Sequence, residues 1–380
     1  MRFKLFIKIL SSGRLALILV GLFISLSIAG ALLPQEGLWT RDDIKTWQES
    51  HPLPTRLLKP LGLFHVFNSV LFLSLIVLLG INTLACTLLY IYKEGGLSWL
   101  KGPKAVRNFG FVALHLGLLL LLAGGFWTSA FRMDGYIILT EGQRFIEEHQ
   151  NYQKIQEGPF RQENHQGFSV LLEKVKIEYE KERFPLQVSS ELQFLGNNNQ
   201  IKKAAVKVNH PVKFQGLSFT QDKTGFSPRL VIRNTSDGRI MIDSFIALQT
   251  FNYQGEKEYR DFLPLPFLNS RVIVMLYPSY IEEAGHYKKT GEEPDNPLLL
   301  IEKETEKGKP EFQGGIAMGE IITIGDYSIE FSDLRSWSAF RVGEDRGLII
   351  LQIALWIGLI SLILRYIPDL LKWFSSSQRS

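Results

Sequence analysis

The sequence predicts an integral membrane α-helical protein with four transmembrane helices and a large, extracytoplasmic, mainly-β domain between the third and the fourth. Three observations predict it. Four apolar runs reach the roughly 20 residues that a helix needs to cross a hydrocarbon core about 30 Å thick. Lys and Arg gather at the ends that four helices, threaded in order, bring to one side. Between the third and fourth runs, apolar and polar residues alternate with period two, the mark of half-buried strands. Of 380 residues, 46% are hydrophobic and 21% charged. The mean hydropathy of +0.05 averages two very different materials.

The first run is Leu15–Leu33. Its basic start and Ser27-Ile28-Ala29 resemble a signal peptide, but the run exceeds the 7–15 residues of a signal core, so it is read as an uncleaved helix. The second run, Val66–Tyr92, holds Asn82, Thr83 and Cys86, with Asn82 expected to hydrogen-bond across helices. The third is Phe109–Phe131 and the last Gly347–Ile367. Residues 1–131 thus form a three-helix membrane region with an outer loop at 34–65. Residues 132–346 form the β-rich domain, and 347–380 the last helix and a tail. In water these runs would have no partner large enough to bury them.

Arg2, Lys4, Lys8 and Arg14 precede the first helix; Lys93, Lys101, Lys104 and Arg107 fill the link between the second and third; Arg365, Lys372 and Arg379 close the fourth. All three groups fall on one side, read as the cytoplasm. Both termini are then cytoplasmic and the large domain periplasmic, in a cell inner (plasma) membrane. Short loops and the lack of a transit-like leader favour that membrane over a thylakoid.

In the β domain, Val175, Ile177 and Tyr179 alternate with Lys174, Lys176 and Glu178. Leu186, Val188, Leu192 and Phe194 repeat with period two, as do Leu230 with Ile232 and Ile329 with Phe331. Gly196-Asn197-Asn198, Ser236-Asp237-Gly238 and Gly325-Asp326 read as turns. The charged stretches Ile281–Asp295 and Ile301–Glu311 read as solvated loops.

Composition excludes several functions. The net charge of +4 is small for a nucleic-acid binder. One cysteine excludes an internal disulfide, a CxxC pair, a multi-cysteine metal site and a CxxCH haem attachment. No GxSxG, HExxH, P-loop or GxGxxG occurs, so hydrolase, metalloprotease and ATP-driven pump have no support.

The histidines carry what chemistry remains. His115 lies within the third run, where an ionisable residue is costly and marks a functional site by default. Neutral imidazole is a good axial ligand for haem iron. Gly110, Gly117, Gly124 and Gly125 flank it and permit close approach of a helix or a flat ring. A ligand or proton-relay role and a plain helix-packing role both remain open for His115 on these grounds. His65, at the outer end of the second run, and His210, in Asn209-His210-Pro211 at a strand end or bulge, read as structural. His51, His149, His165 and His286 fall in polar loops. Cys86 reads as an inert small hydrophobe.

The chain resembles the ResB/CcsB family of system II cytochrome c maturation over essentially its whole length. The resemblance rests on Ala31-Leu32-Leu33-Pro34-Gln35, on the Asn-x-x-x-Cys-Thr of Asn82–Thr87, on the His-Leu-Gly helix Gly110–Gly125, on Asp134–Gln143 and on Val208–Gly216. Gly343–Gly347 reads Gly-Glu-Asp-Arg-Gly where many members show Asp-Pro-Gly. The resemblance implies a subunit of a system II cytochrome c synthetase, paired with a CcsA/ResC-type protein bearing the WWD motif. Together they would carry haem b outward, held transiently, and join it to CxxCH of apocytochrome c. His115 maps onto the family's haem-ligating histidine, so it becomes the expected cofactor-binding residue and axial ligand of the haem iron. No catalytic residue is expected here; the chain would be a non-catalytic or co-catalytic subunit of the haem lyase. A separate thiol-reducing pathway is also implied. Two further readings stand beside this one. In the first, the chain is a scaffold that only stabilises the partner and docks apocytochrome, without ligating haem. In the second it is a membrane redox subunit using His115 and His65, each with a ligand from elsewhere.

Overall fold

A computed structural model describes residues 9–35, 39, 41–93, 96, 98, 101, 105–161, 165–179, 185–198, 200–253, 256–263, 265, 271–304 and 310–377. Arg2, Lys4, Lys8, Lys104 and Arg379 lie outside the described residues. The chain divides into two compact units. One comprises Met1–Asp134, Lys154–Asn164 and Gly343–Ser380, the other Gly135–Gln153 and His165–Val342.

The first unit is helical: α1 (Gly13–Leu32), α2 (Arg41–Ser50), α3 (Pro52–Leu58), α4 (Val70–Lys93), α5 (Ala105–Phe131) and α6 (Gly347–Ser377). Four of these, α1, α4, α5 and the Gly347–Ile367 part of α6, are long and apolar enough to cross a bilayer. The chain is therefore a multi-pass membrane protein, with its mainly-β part between the third and fourth crossings. The second crossing starts at Val70 rather than Val66. Val66–Asn68 is a separate 3-10 turn, and the Ser69 hydroxyl accepts the Phe72 amide at 3.2 Å, which opens α4 with an N-cap.

Packing within the unit follows small and aromatic residues. Leu19 of α1 is buried with Leu75 and Leu79 of α4, and Phe23 stacks on Phe72 at 5.2 Å. Asn82 donates to the Leu10 carbonyl at 2.6 Å, which satisfies it ahead of α1. Gln35, 4% exposed, donates to the Leu63 carbonyl and accepts the Val66 amide at 3.0 Å. It thereby ties the exit of α1 to the entrance of α4. On α5, Gly110, Gly117 and Gly124 recur every seven residues and so share one face. A Cβ there would stand 2.8 Å from the Arg365 nitrogen, 3.2 Å from the Gly358 nitrogen and 3.0 Å from Leu351. The three glycines therefore seat α6, not a flat ring. Gly125 faces open space.

The second unit is built mainly of strands. In chain order β1 is Met133–Thr140, β2 Arg144–Ile146, β3 Lys154–Glu157, β4 Ser169–Tyr179, β5 Pro185–Leu195 and β6 Ile201–Lys207. Then come β7 Val212–Phe214, β8 Leu217–Asn234, β9 Ile240–Phe245, β10 Gln249–Tyr253, β11 Glu256–Leu263 and β12 Val272–Tyr277. Last are β13 Ser279–Glu283, β14 His286–Gly291, β15 Leu298–Glu304, β16 Pro310–Ala317, β17 Ile321–Ile324 and β18 Tyr327–Glu344. Of these, β3 and the ends of β1 and β18 belong to the first unit.

One sheet runs β1-β18-β8-β7, a second β2-β4-β5-β6 and a third β10-β11-β12-β15-β16. The two 18-residue strands β8 and β18 are adjacent. The start of β8 packs with the second sheet, where Phe219 meets Phe194 at 5.0 Å and Phe168 at 6.2 Å. Its later residues Phe226, Leu230 and Ile232 enter a core with Val272, Val274, Leu299 and Ile301.

Among the side chains described, which exclude those of Tyr179 and Leu186, the expected alternations hold with one physical qualification. In β4, Val170 and Leu172 are fully buried, and so is Val175 nearly, on the opposite parity. A bulge between Leu172 and Lys174 switches the phase. Gln215 (φ 45°) and Gly216 (φ 86°) form the two-residue turn of the β7–β8 hairpin, where positive φ at both positions matches strand twist. Glu141 accepts the Val175 amide at 2.7 Å and so links the β1 end to β4.

The two charged stretches are corrected. Ile281–Asp295 contains most of the β13–β14 hairpin, and Ile301–Glu311 takes in the end of β15 and the start of β16. Ile301 is fully buried. Charged residues line the outward face of these strands and hide the single inward apolar residues from a count of polarity.

Candidate functional site

His115 sits on α5, ten residues or about 15 Å from Ala105 and sixteen residues or about 24 Å from Phe131. It is half-buried. Its Nδ1 stands 2.9 Å from the Phe111 carbonyl oxygen, four residues earlier. A carbonyl only accepts, so Nδ1 is the donor here, and in the neutral ring Nε2 keeps its lone pair. This is the tautomer that an imidazole needs as a metal ligand. About 140° separates His115 from Gly110 around the helix, so the imidazole lies off the face that packs on α6. Leu118, one turn on, is 44% exposed.

The surroundings of His115 are aromatic and cationic. The Phe111 ring lies 4.2 Å from the imidazole and 4.7 Å from Tyr90 of α4. The Arg365 guanidinium of α6 stands 5.8 Å from the Phe111 ring centre, and its Nη1 reaches the Arg107 carbonyl at 3.5 Å. The buried Nε of Arg107 has no hydrogen-bond acceptor among the described residues.

His65 lies elsewhere in the helical unit. It is exposed and lines a cavity of about 270 Å³ with Gln35, Asn68, Thr128, Arg132 and Glu157. Thr128 is thirteen residues, or about 20 Å, along α5 from His115. One iron could not join the two histidines. Cys86 is half-buried in α4 and its sulfur is not in a disulfide.

His51 and His210 hold local structure. His51 stacks on Trp47 at 4.5 Å. His210 follows Asn209 (φ 61°) at the turn that ends β6, as its triplet suggested. The buried dyad in the second unit has no signal in the local sequence. The Glu147 carboxylate, inaccessible to solvent, receives His165 Nδ1 at 2.6 Å and the Gln166 amide at 2.6 Å. Eighteen residues separate Glu147 from His165, a spacing that matches no motif.

Known proteins resemble this chain along most of its length. A family model of ResB-like proteins matches residues 14–90 and 100–377. Cytochrome c biogenesis protein CcsB of a Picosynechococcus species is 21% identical, over 97% of this chain and 84% of the relative. CcsB of a Synechococcus species is 23% identical, over 75% and 68%. Cytochrome c biogenesis protein Ccs1 of Rhodomonas salina is 22% identical, over 55% and 43%.

Proposed function

The chain belongs to the ResB-like family, and from that premise we propose that it is the haem-handling subunit of a system II cytochrome c synthetase. Its role lies in cytochrome c biogenesis, as the names of its relatives state for them. In this reading the end of α5 near Ala105 faces the cytoplasm, in a cell inner membrane. Haem b enters there as cargo and is ligated by His115. A CcsA/ResC-type partner supplies the second ligand and the site where haem joins CxxCH of apocytochrome c. A thiol-reducing pathway keeps those cysteines reduced.

The observation that carries the reading is the contact of His115 Nδ1 with the Phe111 carbonyl inside a membrane-spanning helix. The Phe111 carbonyl fixes the proton on Nδ1, so Nε2 can donate its electron pair to ferrous or ferric iron without first losing a proton. Haem bound there would supply an iron that the imidazole can ligate. The chain supplies the imidazole, its orientation and a half-buried setting that limits water.

The test is the visible spectrum of the chain purified with its CcsA-type partner, wild type beside His115→Ala. Loss of haem at equal protein level, restored by added imidazole, is expected. Unchanged haem at equal protein level would favour the scaffold reading, in which the chain only stabilises its partner.

A further inference from the structure

Arg107 and Arg365 differ from the lysines near the same helix ends. Lys93 and Lys101 are exposed, as surface cations at a membrane boundary should be. Arg107 and Arg365 are half-buried. Arg365 spends its guanidinium face on the Phe111 ring and one nitrogen on a backbone carbonyl. Among the residues whose side chains are described, no carboxylate lies within ion-pair distance of either, and Arg107 Nε is buried without an acceptor. A partly buried guanidinium without a counter-charge is costly, so the pair is suited to receive an anion.

Distance limits how the anion can be carried. The Arg365 guanidinium is 5.8 Å from the Phe111 ring centre, and that centre is 4.2 Å from the His115 ring. The cation therefore lies no farther than about 10 Å from the imidazole. That reach suits a carboxylate carried on the rim of a macrocycle whose central metal is bound by the imidazole. Arg is also the side chain whose planar fork matches a carboxylate in two hydrogen bonds.

We propose that Arg365 and Arg107 bind a propionate carboxylate of the tetrapyrrole held at His115, setting which edge of the ring points toward the Ala105 end of α5. The inference rests on the ligand role proposed for His115. It makes the site selective for a free-acid porphyrin. The same guanidinium chemistry would also suit the phosphate of an anionic lipid, and the test separates the two.

The full chain is placed in phosphatidylcholine nanodiscs and titrated with haem b and with its dimethyl ester, followed in the Soret band. Wild type should prefer the free acid about tenfold or more, the scale of a charge-assisted hydrogen bond. Arg365→Gln and Arg107→Gln should each reduce that preference, with the ester bound as before. Arg365→Lys, which keeps the charge but loses the fork, should recover it only in part. His115→Ala should weaken both ligands. A wild-type chain that binds both forms equally through His115 would overturn this inference and spare the ligand assignment. Binding of neither form, or binding insensitive to His115→Ala, would overturn both. A preference abolished by phosphatidylglycerol in the disc, with no change of haem preference in the arginine variants, would assign the pair to lipid.

Discussion

Thr128 Oγ1 donates to Asp345 Oδ1 at 2.9 Å across 217 positions of sequence. The same Asp345 oxygen accepts the Leu348 amide at 3.2 Å, so one carboxylate caps α6 and ties it to the last turns of α5. Glu344, beside it, pairs with Arg161 at 3.5 Å and Arg346 at 2.6 Å. The segment Gly-Glu-Asp-Arg-Gly therefore fixes the return of the chain into its last helix although it departs from the family's Asp-Pro-Gly.

Losing that tie should show as a coupled loss of stability. Asp345→Ala removes a cap and a side-chain partner, and should cost about 1–2 kcal/mol. Thr128→Val should cost about 1 kcal/mol. The double variant should cost less than the sum, because both singles break one bond. Thermal unfolding of the detergent-solubilised protein measures all three; strictly additive losses would mean that the bond contributes nothing.

Glycines on one helix should respond with opposite signs. Gly110→Ala forces a Cβ to within 2.8 Å of the Arg365 nitrogen. Helix backbones cannot yield as a side chain can, so a loss of about 1–3 kcal/mol is expected. Gly125→Ala meets nothing within 4 Å and should gain a few tenths of a kcal/mol or more from helix propensity. Equal effects in an unfolding assay would contradict the seam.

Tyr136 should be among the last tyrosines to ionise. Burial pushes its hydroxyl up to about 12, helped by the charge of Asp222 and a hydrogen bond to it, and opposed by Arg341. An unfolded tyrosine titrates near 10. The native state thus holds this proton longer, and the stability so supplied is whole below pH 10 and is lost as pH rises to 12. Absorbance at 295 nm should show a step near pH 12 that Tyr136→Phe removes. A titration unchanged by that substitution would refute the assignment.

The four membrane helices were legible because length and apolarity alone decide them. So was the place of His115 inside one of them, since an imidazole in such a helix stands out against its neighbours. The strands at Phe168–Tyr179 and Leu186–Phe194 were legible from their period, but not the bulge before Lys174, which depends on the partner strand. Ile301 was misread because charged neighbours on the solvent face outnumber it. The role of Gly110, Gly117 and Gly124 was half legible: their spacing marks a close contact, but only the fold shows that a helix fills it. Neither the Arg107–Arg365 pair nor the Glu147–His165 dyad could be read. Each is made by residues that the fold brings together, and no local spacing encodes them.

The position of β18 between β1 and β8 has a consequence for biosynthesis. A ribosome delivers β1 and β8 long before Tyr327–Glu344 emerges. Until then two strand edges that belong together stay open to water and to other chains, the state most prone to mispairing. Closing that gap also demands contacts distant in sequence, which form slowly. The last strand to be made is thus the one that completes the sheet, and it leads directly into the last helix. Chains cut short anywhere before residue 327 would be left with both edges unsealed and no final anchor, a natural target for quality-control proteases.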